Sequence, residues 1–411
     1  MRQQLAKHDP VVIFGAFDRH NFGDLLFAHI AAELFERDDL RDDLIFAGLA
    51  RRDMRAYGGH AVESLAQLAA RLGHQRVHVV HAGGEILTCS DWEAAVMLLA
   101  GDEARQVIAR LDRHSDERRA WAHAQTGLDA LLPYMASRAM FPRAASITYL
   151  AAGGVDFDRL DAGMRAEALA KLKQADAVSV RDVHTRNVLA AAGVTARLVP
   201  DPAVMVAELF GSRIRARSEQ SGVARLRRAF PNGYIAVQFS ADFGDDRTLG
   251  MLARELDRVS QESGLGIVFF QAGAAPWHDD PACYERIAAK MKTSDTAIFR
   301  SLDLWDICAL IAHASAYAGS SLHGRIVAMA FGLPRVNLVH PARAHDTTKQ
   351  SAFAETWEPA GVPGSVGIDA LAEAVFTALT SDRELLARTA SRLAALYREE
   401  FARTREVMGL A

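Results

Sequence analysis

The stretch Gly319-Ser-Ser-Leu-His-Gly-Arg-Ile-Val-Ala-Met-Ala-Phe-Gly-Leu-Pro-Arg-Val336 decides how the fold is read. The apolar run from Ala309 to Ala318 leads into Gly319-Ser320-Ser321, a sharp turn of small residues. His323, Gly324 and Arg325 then open an apolar helix that stops at Gly332 and Pro334, and a second buried strand runs from Arg335 to Val339. A strand, a small-residue turn and a helix N-terminus in that order suit an anion, because the first helical amides lack intrahelical partners. A histidine and an arginine beside such a turn point to proton transfer next to a phosphate or carboxylate. The plainer alternative is a tight turn with a hydrogen-bonded His and a solvated Arg.

Upstream, Val11-Val-Ile-Phe-Gly15 reads as a buried parallel strand. Asn21-Phe-Gly-Asp24 begins a helix to about Glu36, with Asn21 or Asp24 as its cap. Further strands are expected at Leu44–Ala50, Val77–Val80, Ser146–Leu150, Ala177–Val180 and Arg197–Val199. Two of them end in glycine pairs, Gly83-Gly84 and Gly153-Gly154, where backbone can approach a ligand or a neighbouring strand closely. A helical interruption from Asp91 to Arg143 is too long for one crossover helix. It reads equally as a cap over the ligand edge and as a scaffold or dimer face.

A second alternating half begins at Tyr234, with strands at Gly266–Gln271, Ala297–Arg300, Ala314–Ala318 and Arg335–Val339. Two such halves argue for an α/β protein with two Rossmann-like domains facing a cleft. The expected divisions are 1–205, a linker with a basic helix at 206–233, 234–367, and C-terminal helices at 368–411 that cross back to the first domain.

Composition narrows the function classes. A hydrophobic fraction of 50% and a charged fraction of 24% are those of a globular protein with ample core, and a net charge of −4 argues against nucleic acid. Cys89, Cys283 and Cys308 match no zinc or redox spacing and read as reduced packing residues, which suits the cytoplasm. No apolar signal region opens the chain and no run approaches the length of a membrane span, so at most a peripheral membrane association is expected. A homo-oligomer stays open. The histidine pairs His78/His81 and His340/His345 lack a metal-site spacing, and no metal or cofactor is expected. There is no Gly-x-Ser-x-Gly elbow, no Walker lysine and no Gly-x-Gly-x-x-Gly after the first strand.

Taken together, Asn21-Phe-Gly-Asp24, Ala82-Gly-Gly84, Ser179-Val-Arg-Asp182, Pro200-Asp-Pro202 and Ser320-Ser-Leu-His-Gly-Arg325 resemble, in order and spacing, the polysaccharide pyruvyltransferases. The resemblance runs from about Val11 to Lys349. It implies a GT-B-like fold and transfer of pyruvate from phosphoenolpyruvate to a sugar of a polysaccharide or lipid-linked precursor, giving a cyclic ketal and phosphate. It further implies His323 as proton donor and Arg181 as a catalytic cation. Substrate binding would fall to Asn21, Gly23, Asp24, Gly83, Gly84, Ser320, Ser321, Arg325 and Lys349. The family commonly carries an arginine where this chain has Ser321, and Arg325, one helical turn on, is the expected replacement. Two other readings compete, a nucleotide-sugar glycosyltransferase on the same architecture and a non-catalytic glycan-binding relative.

Overall fold

Short apolar runs with no polar face suit strands covered on both sides, and two largely parallel sheets hold most of them. The computed structural model describes residues 9–36, 43–220 and 222–410; the segment 1–8, read above as lacking a signal region, lies outside them. The chain divides into two units. The first holds the N-terminal residues through His20, Asp24–Pro202 and everything from Leu396 on; the second holds Asn21–Gly23 and Ala203–Ala395.

In the first unit, β1 (Val11–Phe14), β2 (Leu44–Gly48), β3 (Arg52–Asp53), β4 (Ala61–Ser64), β5 (His78–Ala82), β6 (Ser146–Ala152), β7 (Ala177–Val180) and β8 (Arg197–Leu198) form one sheet. Their order is β3-β4-β2-β1-β5-β6-β7-β8, parallel except for the β3–β4 pair. β1 is fully buried and pairs with β2 on one side and β5 on the other, so the winding reverses there. Below the sheet, Val12, Phe14, Val79, Ile147 and Tyr149 join one core with Leu65, Leu68 and Leu172 from the helices.

The helical interruption is three helices, Asp91–Val96, Gly101–Leu111 and Ser115–Thr126, with a core of their own. Trp92 and Trp121 meet edge to face there, 5.4 Å between ring centres, and Ser90 with Glu93 forms a reciprocal cap at the first helix. The rest of the interruption is not helical. Its backbone at Ala136 donates to Nε2 of His81 and accepts from the Tyr149 hydroxyl, which ties it to β5 and β6. Nδ1 of His81 donates to the Thr148 carbonyl, and burial pulls this imidazole down to a pKa of about 3.

In the second unit, β9 (Tyr234–Gln238), β10 (Gly266–Phe270), β11 (Thr296–Phe299), β12 (Ala316–Gly319), β13 (Arg335–Leu338) and β14 (Ser365–Val366) lie in the order β11-β10-β9-β12-β13-β14, all parallel. This is the doubly wound order, with its reversal between β9 and β12. The region read as a linker with a basic helix forms two helices, Val206–Gln220 and Gly222–Ala229. Its arginines conceal the pattern, because Val206, Phe210, Ile214 and Val223 turn inward beneath them.

The last helix, Arg383–Met408, starts in the second unit and ends in the first. In the first unit its Glu400 takes the Arg197 guanidinium at 2.6–3.0 Å, and Phe401 packs on Phe35. Among the described residues no helix is long and apolar enough to cross a membrane.

Candidate functional site

In a doubly wound sheet the crevice for a ligand opens at the carboxyl ends of the two strands where the winding reverses. In the second unit those ends are Gln238 of β9 and Gly319 of β12, which are register partners. Ser320 and Ser321 follow directly, then the helix Leu322–Ala330. The Ser321 side chain caps that helix by accepting from the Gly324 amide at 3.2 Å. Where the resemblance implies a cation, this chain thus has a cap. The Ser320 hydroxyl accepts from the Ser240 amide, and its carbonyl accepts from the Gln350 side chain. Lys349, exposed at the start of the helix Lys349–Trp357, is the neighbour of that glutamine.

His323 occupies the second position of its helix and is 8% exposed. The tripeptide Asn21–Gly23 lies against it within the same unit. Phe22 meets the imidazole edge to face at 6.4 Å. A Cβ on Gly23 would fall 2.0 Å from the ring's Cγ and Nδ1, so only glycine lets the ring lie there. Asn21 holds this arrangement from both ends. Its Oδ1 accepts from the Gly23 amide, its Nδ2 donates to Nε2 of His278, and the Phe22 amide donates to the Ala272 carbonyl.

Sequence reasoning missed the polar network beneath this turn. The Gln238 side chain accepts from the Ser321 amide at 2.7 Å and donates to Asp279 at 2.7 Å. Asp279 also accepts from the Ala272 amide and the Tyr284 hydroxyl. Burial pushes its carboxyl up to about 7, against the pull of those hydrogen bonds. The Tyr317 hydroxyl donates to the Ser321 carbonyl at 3.0 Å. No local motif announces Gln238, His278 or Asp279; only the strand order brings them to one edge.

Arg325, expected as the replacement charge, is held by an acidic partner and two carbonyls. It is fully buried, with Nε on Glu358 at 2.8 Å, Nη1 on the Gly364 carbonyl and Nη2 on the Pro363 carbonyl. Arg335 of β13 shares the same carboxylate. A cation four residues on from Ser321 points along its helix into the core side, where Glu358 satisfies it.

Arg181, expected as a catalytic cation, is likewise held by acidic partners. It stands at the end of β7, 2% exposed, with Nη1 on Asp201 at 3.0 Å and Nη2 on Glu85. Burial would lower its pKa, but the two carboxylates raise it above the ordinary arginine value. This bridge ties the Gly83-Gly84-Glu85 turn to the Pro200-Asp201-Pro202 loop. Gly83 and Gly84 have φ of 87° and 90°, values that favour glycine, and Asp24 is buried 3.7 Å from Arg19. Arg19, whose Nη1 donates to the Tyr134 hydroxyl at 2.9 Å, is a partly buried cation that the sequence reading did not single out. Asp24, Gly83 and Gly84 belong to the first unit, and His323 with Asn21, Gly23, Ser320, Ser321 and Lys349 to the second.

The family model described as "Polysaccharide pyruvyl transferase" matches residues 21–340. No curated protein is significantly similar to the chain in sequence. Among solved structures, Staphylococcus aureus MnaA in its co-structure with UDP is similar with a TM-score of 0.56 and 12% identity, over 98% of this chain and 97% of that one. Anabaena HepE in complex with UDP and glucose is similar with a TM-score of 0.53 and 11% identity, over 97% and 100%. The UDP-GlcNAc 2-epimerase from Neisseria meningitidis bound to UDP-GlcNAc gives 0.52 and 11%, over 97% and 99%. At these identities the likeness is one of fold, two parallel α/β sheets of GT-B-like type.

Proposed function

The chain belongs to the polysaccharide pyruvyl transferase family, and we propose that it moves pyruvate from phosphoenolpyruvate onto two hydroxyls of one sugar in a polysaccharide or glycan precursor. The observation that carries this reading is His323, held at a helix N-terminus on the reversal edge of the second sheet and packed on Gly23. In the reaction a proton adds to the methylene carbon of phosphoenolpyruvate and a sugar hydroxyl adds to its C2. The C2–O bond to phosphate then breaks, phosphate leaves with the electron pair, and a second hydroxyl closes the ketal. Of the two hydroxyl protons lost, one is made good on the new methyl group and one on phosphate. An imidazole is suited to deliver the first proton, because its ordinary pKa lies near neutrality.

With Arg325 and Arg181 committed to carboxylates, the anionic donor is assigned to other groups. The amides of Leu322 and His323 are the first of their helix and favour negative charge. Lys349 adds a point charge beside Gln350, which holds Ser320. Asn21 and Gly23 position the imidazole. Asp24 and the Gly83-Gly84 turn, next to the reversal point of the first sheet, are assigned to substrate binding on the same topological grounds.

The direct test is phosphate release from phosphoenolpyruvate in the presence of candidate glycans, with melting temperature as a second readout. Stabilisation by phosphoenolpyruvate and glycan-dependent phosphate release are expected. Stabilisation by a nucleoside diphosphate in their place would favour the glycosyltransferase reading, and stabilisation by glycan alone the binding relative.

A further inference from the structure

The loop 271–280, between β10 and the helix Pro281–Lys290, holds one side chain in an unusual state. Trp277 is 49% exposed and has a φ of 62°, in the left-handed region that bulky L side chains rarely adopt. Of the five tryptophans, Trp92, Trp305 and Trp357 are buried and Trp121 is partly buried. The strain comes from hydrogen bonds on both sides. The His278 amide donates to the Ala275 carbonyl, and the Asp279 amide to Gly273. Nδ1 of His278 reaches back to the Pro276 carbonyl at 3.0 Å, and the Ala241 amide takes the His278 carbonyl. The Gln271 side chain then ties Gly273 to Asp279. Pro276 and His278 are thereby fixed, and the residue between them is turned out with its indole toward solvent. Strain of this kind persists where surrounding structure imposes it, and it marks functional positions often enough to motivate a hypothesis.

The same loop touches the proposed site. Nε2 of His278 accepts from Asn21, whose neighbour Gly23 lies against His323, and Gly273 bridges to Asn21. Trp277 therefore stands one residue from the contact that positions the imidazole. An indole face offers nothing to a small, highly charged donor. It does offer a flat apolar surface for the C–H face of a pyranose ring, while the sugar hydroxyls point to water or to polar neighbours.

We propose that Trp277 is the platform on which the acceptor sugar stacks, a specificity-determining residue that selects a neutral hexopyranoside and sets its hydroxyls toward the donor. The proposal rests on the pyruvyl-transfer reading above and is tested separately from it. Tryptophan emission of the full-length protein is titrated with the methyl β-glycosides of glucose, galactose and mannose, and with lactose and cellobiose. At least one sugar should change the emission saturably, and the change should vanish in Trp277→Phe. With the same sugars as acceptors in the phosphate-release assay, Trp277→Ala should raise acceptor KM about ten- to a hundred-fold. The melting shift with phosphoenolpyruvate should stay as in wild type, and Trp277→Phe should recover most of the loss. Trp277→Gly, relaxed at this φ, should melt no lower than wild type and still show the raised KM. An unchanged acceptor KM in Trp277→Ala, or no sugar in the panel altering emission, overturns the proposal. Failure of phosphoenolpyruvate to shift wild-type melting would instead overturn the donor reading, while the emission titration still decides whether a sugar stacks on Trp277.

Discussion

Gly23 lies so close beneath His323 that a single added methyl would sit 2.0 Å from the imidazole. Two residues three hundred positions apart thus depend on one atom's absence. Substitution of Gly23 by alanine should push the ring aside by about an ångström, enough to cost on the order of a hundred-fold in turnover. The overpacking should lower stability by only about 1–3 kcal/mol. Turnover and melting temperature on one preparation check this, and wild-type turnover in Gly23→Ala would remove the positional argument.

His323→Gln keeps a polar side chain of similar reach and removes the titratable ring. If the imidazole delivers the proton, turnover falls by about two to four orders of magnitude while the melting shift with phosphoenolpyruvate is retained. A structural histidine would behave differently, with activity falling only in step with the folded fraction.

The Arg325–Glu358–Arg335 cluster makes the opposite prediction. All three side chains are buried, and one carboxylate serves both cations. Burial holds the Arg325 pKa below the ordinary arginine value despite Glu358, while the two arginines hold the Glu358 carboxyl below its own. Removing the carboxylate in Glu358→Gln leaves two buried arginines short of countercharge, a change that costs about 3–5 kcal/mol in comparable sites. Urea unfolding should show that loss, and Arg325→Ala should likewise lose stability. Neither should alter the affinity of the remaining folded protein for phosphoenolpyruvate. A donor affinity that falls in Arg325→Ala at unchanged stability would restore Arg325 to the site.

The same cluster shows what was legible in sequence and what was not. The parallel strands could be read because each is a short apolar run buried on both faces, such as Val11–Phe14 and Tyr234–Gln238. β3 and β4 were missed because an edge strand with exposed Arg52 and Asp53 carries no such run. Arg325 was legible as a cation beside a turn, but its partner lies 33 residues on, beyond β13 and the helix Lys349–Trp357. Ser321 could be read as the family's missing charge, yet its role as a cap depends on where the helix begins. Trp277 carried no signal at all, since one tryptophan in a loop reads as any other until its exposure and φ are known.

Asp279 provides the pH test. Its carboxyl titrates near 7 in the folded protein, raised by burial from an ordinary value of 3.8. Between those two pH values the folded state binds the proton and the unfolded chain has lost it, so stability must fall as pH rises. The favourable contribution is fully present below about pH 4, declines through the interval and is gone above about pH 7. The slope is about 1.4 kcal/mol for each pH unit in that window. Asp279→Asn, which cannot ionise, should flatten this dependence, whatever its effect on stability at one fixed pH. Urea unfolding from pH 5 to 8 measures both slopes on the full-length protein. Because Asp279 holds Gln238, and Gln238 holds the Ser321 amide, ionisation should also be felt at the turn that starts the His323 helix. The melting shift with phosphoenolpyruvate should then change across pH 6–8 in wild type and less so in Asp279→Asn. Equal stability slopes for the two proteins would mean that Asp279 is already ionised at pH 5, with its hydrogen bonds to Gln238, Ala272 and Tyr284 outweighing burial.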